Sequence, residues 1–160
     1  MDRFADGMIA RGPTLGVDRS TWTGSVHIVD LPSDEAARGF IEREPYNRAG
    51  LFEHHLIRRF KNLLGRTMWD FPGGSVEPRF LVIAQLAAGA GEDAHDMLLR
   101  DFAALPREHV IVHGELLTLD DAEPAGRVLA LQAPTREAVG ALLGGQDVVQ
   151  ILDWEFGGRR

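Results

Sequence analysis

The chain has 160 residues, 44% apolar and 26% charged, with a net charge of −7 and no cysteine. That composition excludes disulfides, thiolate metal sites and cysteine nucleophiles, and it argues against a nucleic-acid partner, which needs a basic face. No apolar run approaches the roughly 18 residues of a membrane span, and the mixed polar start MDRFADGMIARG shows no signal peptide, so no membrane partner and a cytoplasmic location are expected.

The first punctuated stretch is RGPTLGVDRSTWTG, residues 11–24, and its spacing returns in HGELLTLDDAEPAG, residues 113–126. Gly12, Asp18 and Gly24 fall on Gly114, Asp120 and Gly126 at an offset of 102, without a gap. The match continues: Val26 meets Val128, Ser33 meets Thr135, Glu35 meets Glu137 and Ala36 meets Ala138. Each half thus reads as an apolar strand, a Pro-Ser or Pro-Thr turn and an Ala-rich helix. Ser33 and Thr135 are natural N-caps, with Glu35 and Glu137 favourably placed on the helix dipole. Each half then closes on an apolar segment, 50–60 and 147–156, both predicted as strands. Between the halves, FPGGSVEP (71–78) reads as a linker. After it come a predicted strand over 79–88, a helix over 91–106 and a strand over 108–117.

The second half, 79–160, therefore reads β-α-β-β-α-β, the ferredoxin-like split unit. The first half, 1–70, lacks the opening strand and the start of the first helix, because Phe80 and His95 map to places before Met1. A late start, a lost piece, or a strand supplied by a partner subunit would each account for this; a late start is the leading expectation. The fold class expected is α+β, with a core that includes Ile28, Val29, Phe40, Leu56, Val82, Ile83, Leu98, Phe102, Ile111, Val128, Leu129 and Leu131.

The run ARGPTLGVD, then TGSVHIVDLPSDEAARGF, then Glu44-Pro45-Tyr46-Asn47-Arg48-Ala49-Gly50-Leu51-Phe52, resembles the YciI-like (YCII-related) family over residues 10–60. The second half resembles it as a degenerate copy. It keeps Gly114, Asp120 and Gly126, but has Glu115 in place of the proline and lacks the Pro-Tyr…Ala-Gly motif. The resemblance implies ferredoxin-like units that pair their sheets into a dimeric α/β barrel, here a tandem pseudo-dimer within one chain. It also implies small cofactor-free enzymes of aromatic-derived metabolites, similar to muconolactone isomerase-like and dehydrochlorinase proteins. Their active residues are a His near the start of the first helix and the Asp of the Gly-Pro loop. His95 and Asp120 match these in the second half; Asp18 matches the Asp in the first half, whose His would precede Met1.

A His–Asp pair suits proton transfer, since a carboxylate fixes the imidazole tautomer and raises its basicity. The plainer alternatives are a solvent-facing His95 beside Glu92, Asp93 and Asp96, and turn carboxylates at Asp18 and Asp120 that bind backbone amides. His113 and His27 alternate with apolar strand residues, so either can line a cavity between sheets or sit hydrogen-bonded in the core. Tyr46 and Arg48 are the candidates for an anionic substrate or a neighbouring subunit, the alternative being a capped turn. Successive residues of a strand face opposite ways, so His54 and His55 would not share a metal. No zinc-type spacing occurs, and AAGAGEDA (87–94) lacks the residues of a nucleotide loop. Trp22, Trp69 and Trp154 read as core or interface residues.

Two functions follow. One is a cofactor-free, metal-free isomerase or lyase of small molecules using His95 and Asp120; the other is a non-catalytic ligand-binding or assembly module. A small-molecule ligand and a homo-oligomer are the expected partners.

Overall fold

The computed structural model describes residues 4, 6–74, 76–87, 93, 96, 105–143 and 149–157. Its centre is one antiparallel sheet of seven strands: β1 (Met8–Leu15), β2 (Trp22–Val29), β3 (Arg59–Asn62), β4 (Arg79–Gln85), β5 (Val110–Leu117), β6 (Pro124–Gln132) and β7 (Val149–Trp154). They lie in the order β2-β1-β7-β4-β6-β5-β3. The helices are α1 (Asp34–Arg43), the four-residue α2 (Pro45–Arg48) and α3 (Arg136–Leu142), with a 3₁₀ turn at Met68–Asp70. Strands from 1–70 and from 79–160 thus share one sheet, a mixed α/β arrangement. The predicted helix over 91–106 lies outside the described residues apart from Asp93 and Asp96, both helical.

Each helix begins where its sequence provides a cap. The Ser33 hydroxyl accepts from the Ala36 amide at 3.2 Å, and Thr135 does the same for Ala138 at 3.1 Å. Both satisfy donors that the first turn leaves without an intrahelical partner. The Glu44 carboxylate caps α2, accepting from the Asn47 amide at 2.7 Å. Gly50, at φ +69°, ends that helix; its amide donates to the Asn47 carbonyl and that of Leu51 to the Tyr46 carbonyl. This pair of bonds is a Schellman closure, which calls for glycine at this position. The Ala-Gly of the motif over 44–52 is therefore explained by local geometry.

β4 shows why the sheet has two cores. Phe80, Val82 and Ala84 point to one face and join Leu129, Leu131 and Val139 of α3; Leu81 points to the other and joins Ile28, Val128, Ala130 and Trp154. Successive strand residues alternate faces, so a strand buried on both sides reads as an unbroken apolar run, as RFLVIAQ does.

Of the predicted core, Ile28, Phe40, Val82, Ile111, Val128, Leu129 and Leu131 are buried, while Val29 and Ile83 are half-buried. Leu98 and Phe102 lie outside the described residues. Leu56 is a correction: it is 47% exposed. The predicted strand over 50–60 shrinks to Arg59–Asn62, and residues 51–58 run irregularly. The ladder of β3 with β5 begins at Arg59 opposite Leu117, where β5 ends, so the residues before Arg59 have no strand partner among the described residues. Of the tryptophans expected in the core or at an interface, Trp154 is fully buried, whereas Trp22 is 67% exposed and so is not a core residue.

The repeated glycines sit where backbones meet. A Cβ on Gly12 would lie 1.8 Å from the Glu155 carbonyl oxygen, just past β7, and one on Gly126 would lie 2.0 Å from the Ala84 carbonyl of β4. A Cβ on Gly114 would run into the Phe60 ring of β3 at 1.9 Å. Two of these contacts, Gly12 on the end of β7 and Gly114 on β3, join a strand of residues 1–70 to one of 79–160.

Candidate functional site

The sheet curls so that its terminal strands, β2 and β3, flank a single cavity of about 1510 Å³. β2 forms one wall and residues 51–61 the other. Phe40 and Ile41 of α1 close one side, and Leu81, Ile83, Val128 and Leu152 form an apolar floor. Polar groups enter from Thr23, Ser25, His27, Gln85 and Gln150. Among the described residues no cluster of three metal-ligating side chains occurs.

His27 is half-buried in these walls. Its ring stacks edge-on against Phe40, with centroids 5.4 Å apart. Burial pushes its pKa below the usual imidazole value, Glu44 pulls it back up and Arg11 lowers it further, so the ring is neutral at physiological pH. Glu44, itself buried, also lines the cavity. Oε2 is engaged by Asn47, and Oε1 is buried without a hydrogen-bond partner among the described residues. Sequence reasoning found His27 from its strand alternation. It missed Glu44, whose signal is an acidic residue directly before a Pro-initiated helix.

The other candidates lie apart from this cavity or at its rim. Asp18 is held in a turn: Oδ1 accepts from the Ser20 amide at 3.1 Å and Oδ2 from the Ser20 hydroxyl at 2.6 Å. Those hydrogen bonds, the Ser20 hydroxyl first, hold its pKa below the usual carboxylate value. The Asp120 side chain is 81% exposed and pairs with Arg38 at 3.3 Å. His95 lies outside the described residues. Tyr46 and Arg48 stand exposed on α2; Tyr46 packs its ring edge-on to Phe52 with centroids 6.4 Å apart. His54 and His55 both line the cavity mouth from the irregular segment, so the expectation that they face opposite sides of a strand is corrected by the absence of a strand there.

His113 sits half-buried on β5, outside the cavity lining. Burial first, then Arg127 and Arg107, push its pKa down to about 4. The sign of its effect on stability follows. The unfolded imidazole takes up a proton near pH 6.5 while the folded one does not, so stability is lost as pH falls from 6.5 toward 4. With allowance for partial exposure, this is on the order of 2 kcal/mol. Denaturant titrations of His113→Gln at pH 7 and pH 4.5 should show a smaller loss on acidification than the unaltered protein shows; an identical loss would refute the assignment.

No curated protein and no solved structure matches this chain. A family model, that of the YCII-related domain, does match residues 3–61, the stretch that supplies β1, β2, α1, α2 and most of β3.

Proposed function

We propose that this protein binds an apolar-bodied small molecule in the cavity between β2 and β3, with His27 as a neutral hydrogen-bonding group at its wall. The supporting observation is the cavity itself: an apolar floor that Gln85 and Gln150 share, under a polar rim that includes Asp34, Glu44, Arg59 and Lys61, a form that small-molecule sites take. The proton-transfer reading, with Asp120 as partner to His95, draws less support. Its carboxylate stands in solvent with Arg38, and exposed carboxylates gain little from such pairing. The geometry thus favours the binding module over the isomerase or lyase.

In this reading the fold is two βαββαβ units joined in tandem. β4, β5, β6 and β7 are the first to fourth strands of one unit, and β1, β2 and β3 are the second to fourth of the other. The strand order β7-β4-β6-β5 and the cross-pairs β1–β7 and β3–β5 support it.

The test is titration with an uncharged, polarity-sensitive naphthalene dye. Saturable fluorescence enhancement is expected. Ile83→Asn, which places an amide on the floor, should weaken it about tenfold, equivalent to 1.4 kcal/mol. Equal binding by the variant, with an unchanged circular dichroism spectrum, would sink the assignment.

A further inference from the structure

Seven strands leave this sheet with two ends, and those ends face each other. β2 pairs only with β1 and β3 only with β5, yet both border one cavity. Among the described residues no strand pairs with the second edge of either.

The second half shows what belongs in such a place. β4 lies between β7 and β6, antiparallel to both, with seven residue pairs to β6 and six to β7. When β3 and β2 are set against β7 and β6, the position between them is that of β4. The glycines point the same way. At Gly126, on β6, the backbone of β4 comes so near that a Cβ would touch the Ala84 carbonyl at 2.0 Å. Gly24 occupies the matching position on β2, and there a Cβ would meet only the Thr14 hydroxyl, at 2.9 Å, within 4 Å. The close approach that requires glycine at 126 has no counterpart yet at 24.

We propose that the slot between β2 and β3 is a strand acceptor: an extended segment of a separate polypeptide, about seven residues long with the two-faced apolar pattern of β4, seats antiparallel to both edges and closes the sheet into an eight-stranded barrel. Main-chain hydrogen bonds to two edges supply the affinity, and side chains at alternate positions supply the selectivity. Inward residues meet the floor at Leu81 and Val128; outward residues meet Phe40 on α1. Neighbours spaced about 4.8 Å apart would bury the otherwise unpaired amides of β2 and β3. The inference uses the tandem-unit reading but does not depend on the small-molecule one, since an empty floor accepts a strand equally well.

The probe is a synthetic peptide with the sequence of residues 79–85, RFLVIAQ, given a charged tail for solubility and added to the 160-residue chain. Calorimetry should show one peptide per chain, and hydrogen exchange should slow at amides of β2 and β3. N-methylation at alternate peptide nitrogens should weaken binding at least tenfold, because it removes ladder donors while leaving the side chains in place. Gly24→Ala should weaken it similarly; its methyl would also press on the Thr14 hydroxyl, and should that variant fold poorly, the methylated peptides decide alone. Absence of binding, equal binding of the methylated peptides, or protection confined to other strands would each overturn the proposal. Failure of the dye titration alone would leave it standing.

Discussion

Gly12→Ala is expected to cost about 3 kcal/mol or more in stability, because the new methyl has nowhere to go. It would lie 1.8 Å from the Glu155 carbonyl oxygen and 2.9 Å from the Gly157 nitrogen, both backbone atoms. A flexible side chain could swing away; a ladder cannot. On either side of Gly12 the Arg11 carbonyl accepts from the Gly157 amide at 2.9 Å and the Pro13 carbonyl from the Glu155 amide at 3.3 Å, so moving the strands apart breaks both bonds. Urea denaturation checks this directly. A loss below about 1 kcal/mol, within the range of ordinary surface substitutions and minor repacking, would mean that the two strands are not this close.

The second large effect is expected at Asp153. Its side chain on β7 is 7% exposed and takes hydrogen-bonded ion pairs from Arg19, in the β1–β2 turn, and from Arg136, at the start of α3. Arg136 also donates to the Ile151 carbonyl. One carboxylate thus ties the first half of the chain, the last strand and the last helix together. Asp153→Ala leaves two guanidinium groups facing each other over a buried gap. Breaking a buried pair by removing one partner costs about 3–5 kcal/mol, and the lower end applies here since both arginines are partly in water. Asp153→Asn should recover part of this. Thermal and urea midpoints of the two variants measure it; an alanine variant within about 1 kcal/mol of the unaltered protein would remove the carboxylate from its assigned role.

How much of this was legible in the residues depends on what held each one. The strands over 79–85, 110–117 and 149–154 announced themselves by their apolar runs; RFLVIAQ, with core packed against both of its faces, can be little else. Ser33 and Thr135 announced their helices through the chemistry of their hydroxyls. The segment 50–60 misled for the opposite reason. Leu51, Phe52, Leu56 and Ile57 carry a strand's composition, but only a neighbouring backbone turns composition into a strand, and β5 ends opposite Arg59, so among the described residues none reaches them. Trp22 misled likewise, its ring standing at the mouth of the β1–β2 turn and not inside. The site was legible only in part. His27 could be read from alternation. Glu44 could not, because its burial follows from how α1 ends and α2 begins, which is a matter of two helices' geometry. Asp18 and Asp120 were visible as a repeated carboxylate, yet repetition alone did not separate a turn from a reactive group. Their surroundings differ: Ser20 and Thr21 lie around one, Arg38 and solvent around the other.

The pairing of Thr14 with Trp154 and of Leu15 with Asp153 has a consequence for how the chain comes off the ribosome. The partners lie about 140 residues apart in sequence, so the loop they close is long and its closing entropy is met only late. The hairpin of β1 and β2 can form as soon as it emerges, but it stays without its lasting neighbour until β7 has been made. A nascent chain arrested before β7 would therefore leave that hairpin a ready substrate for chaperones and proteases.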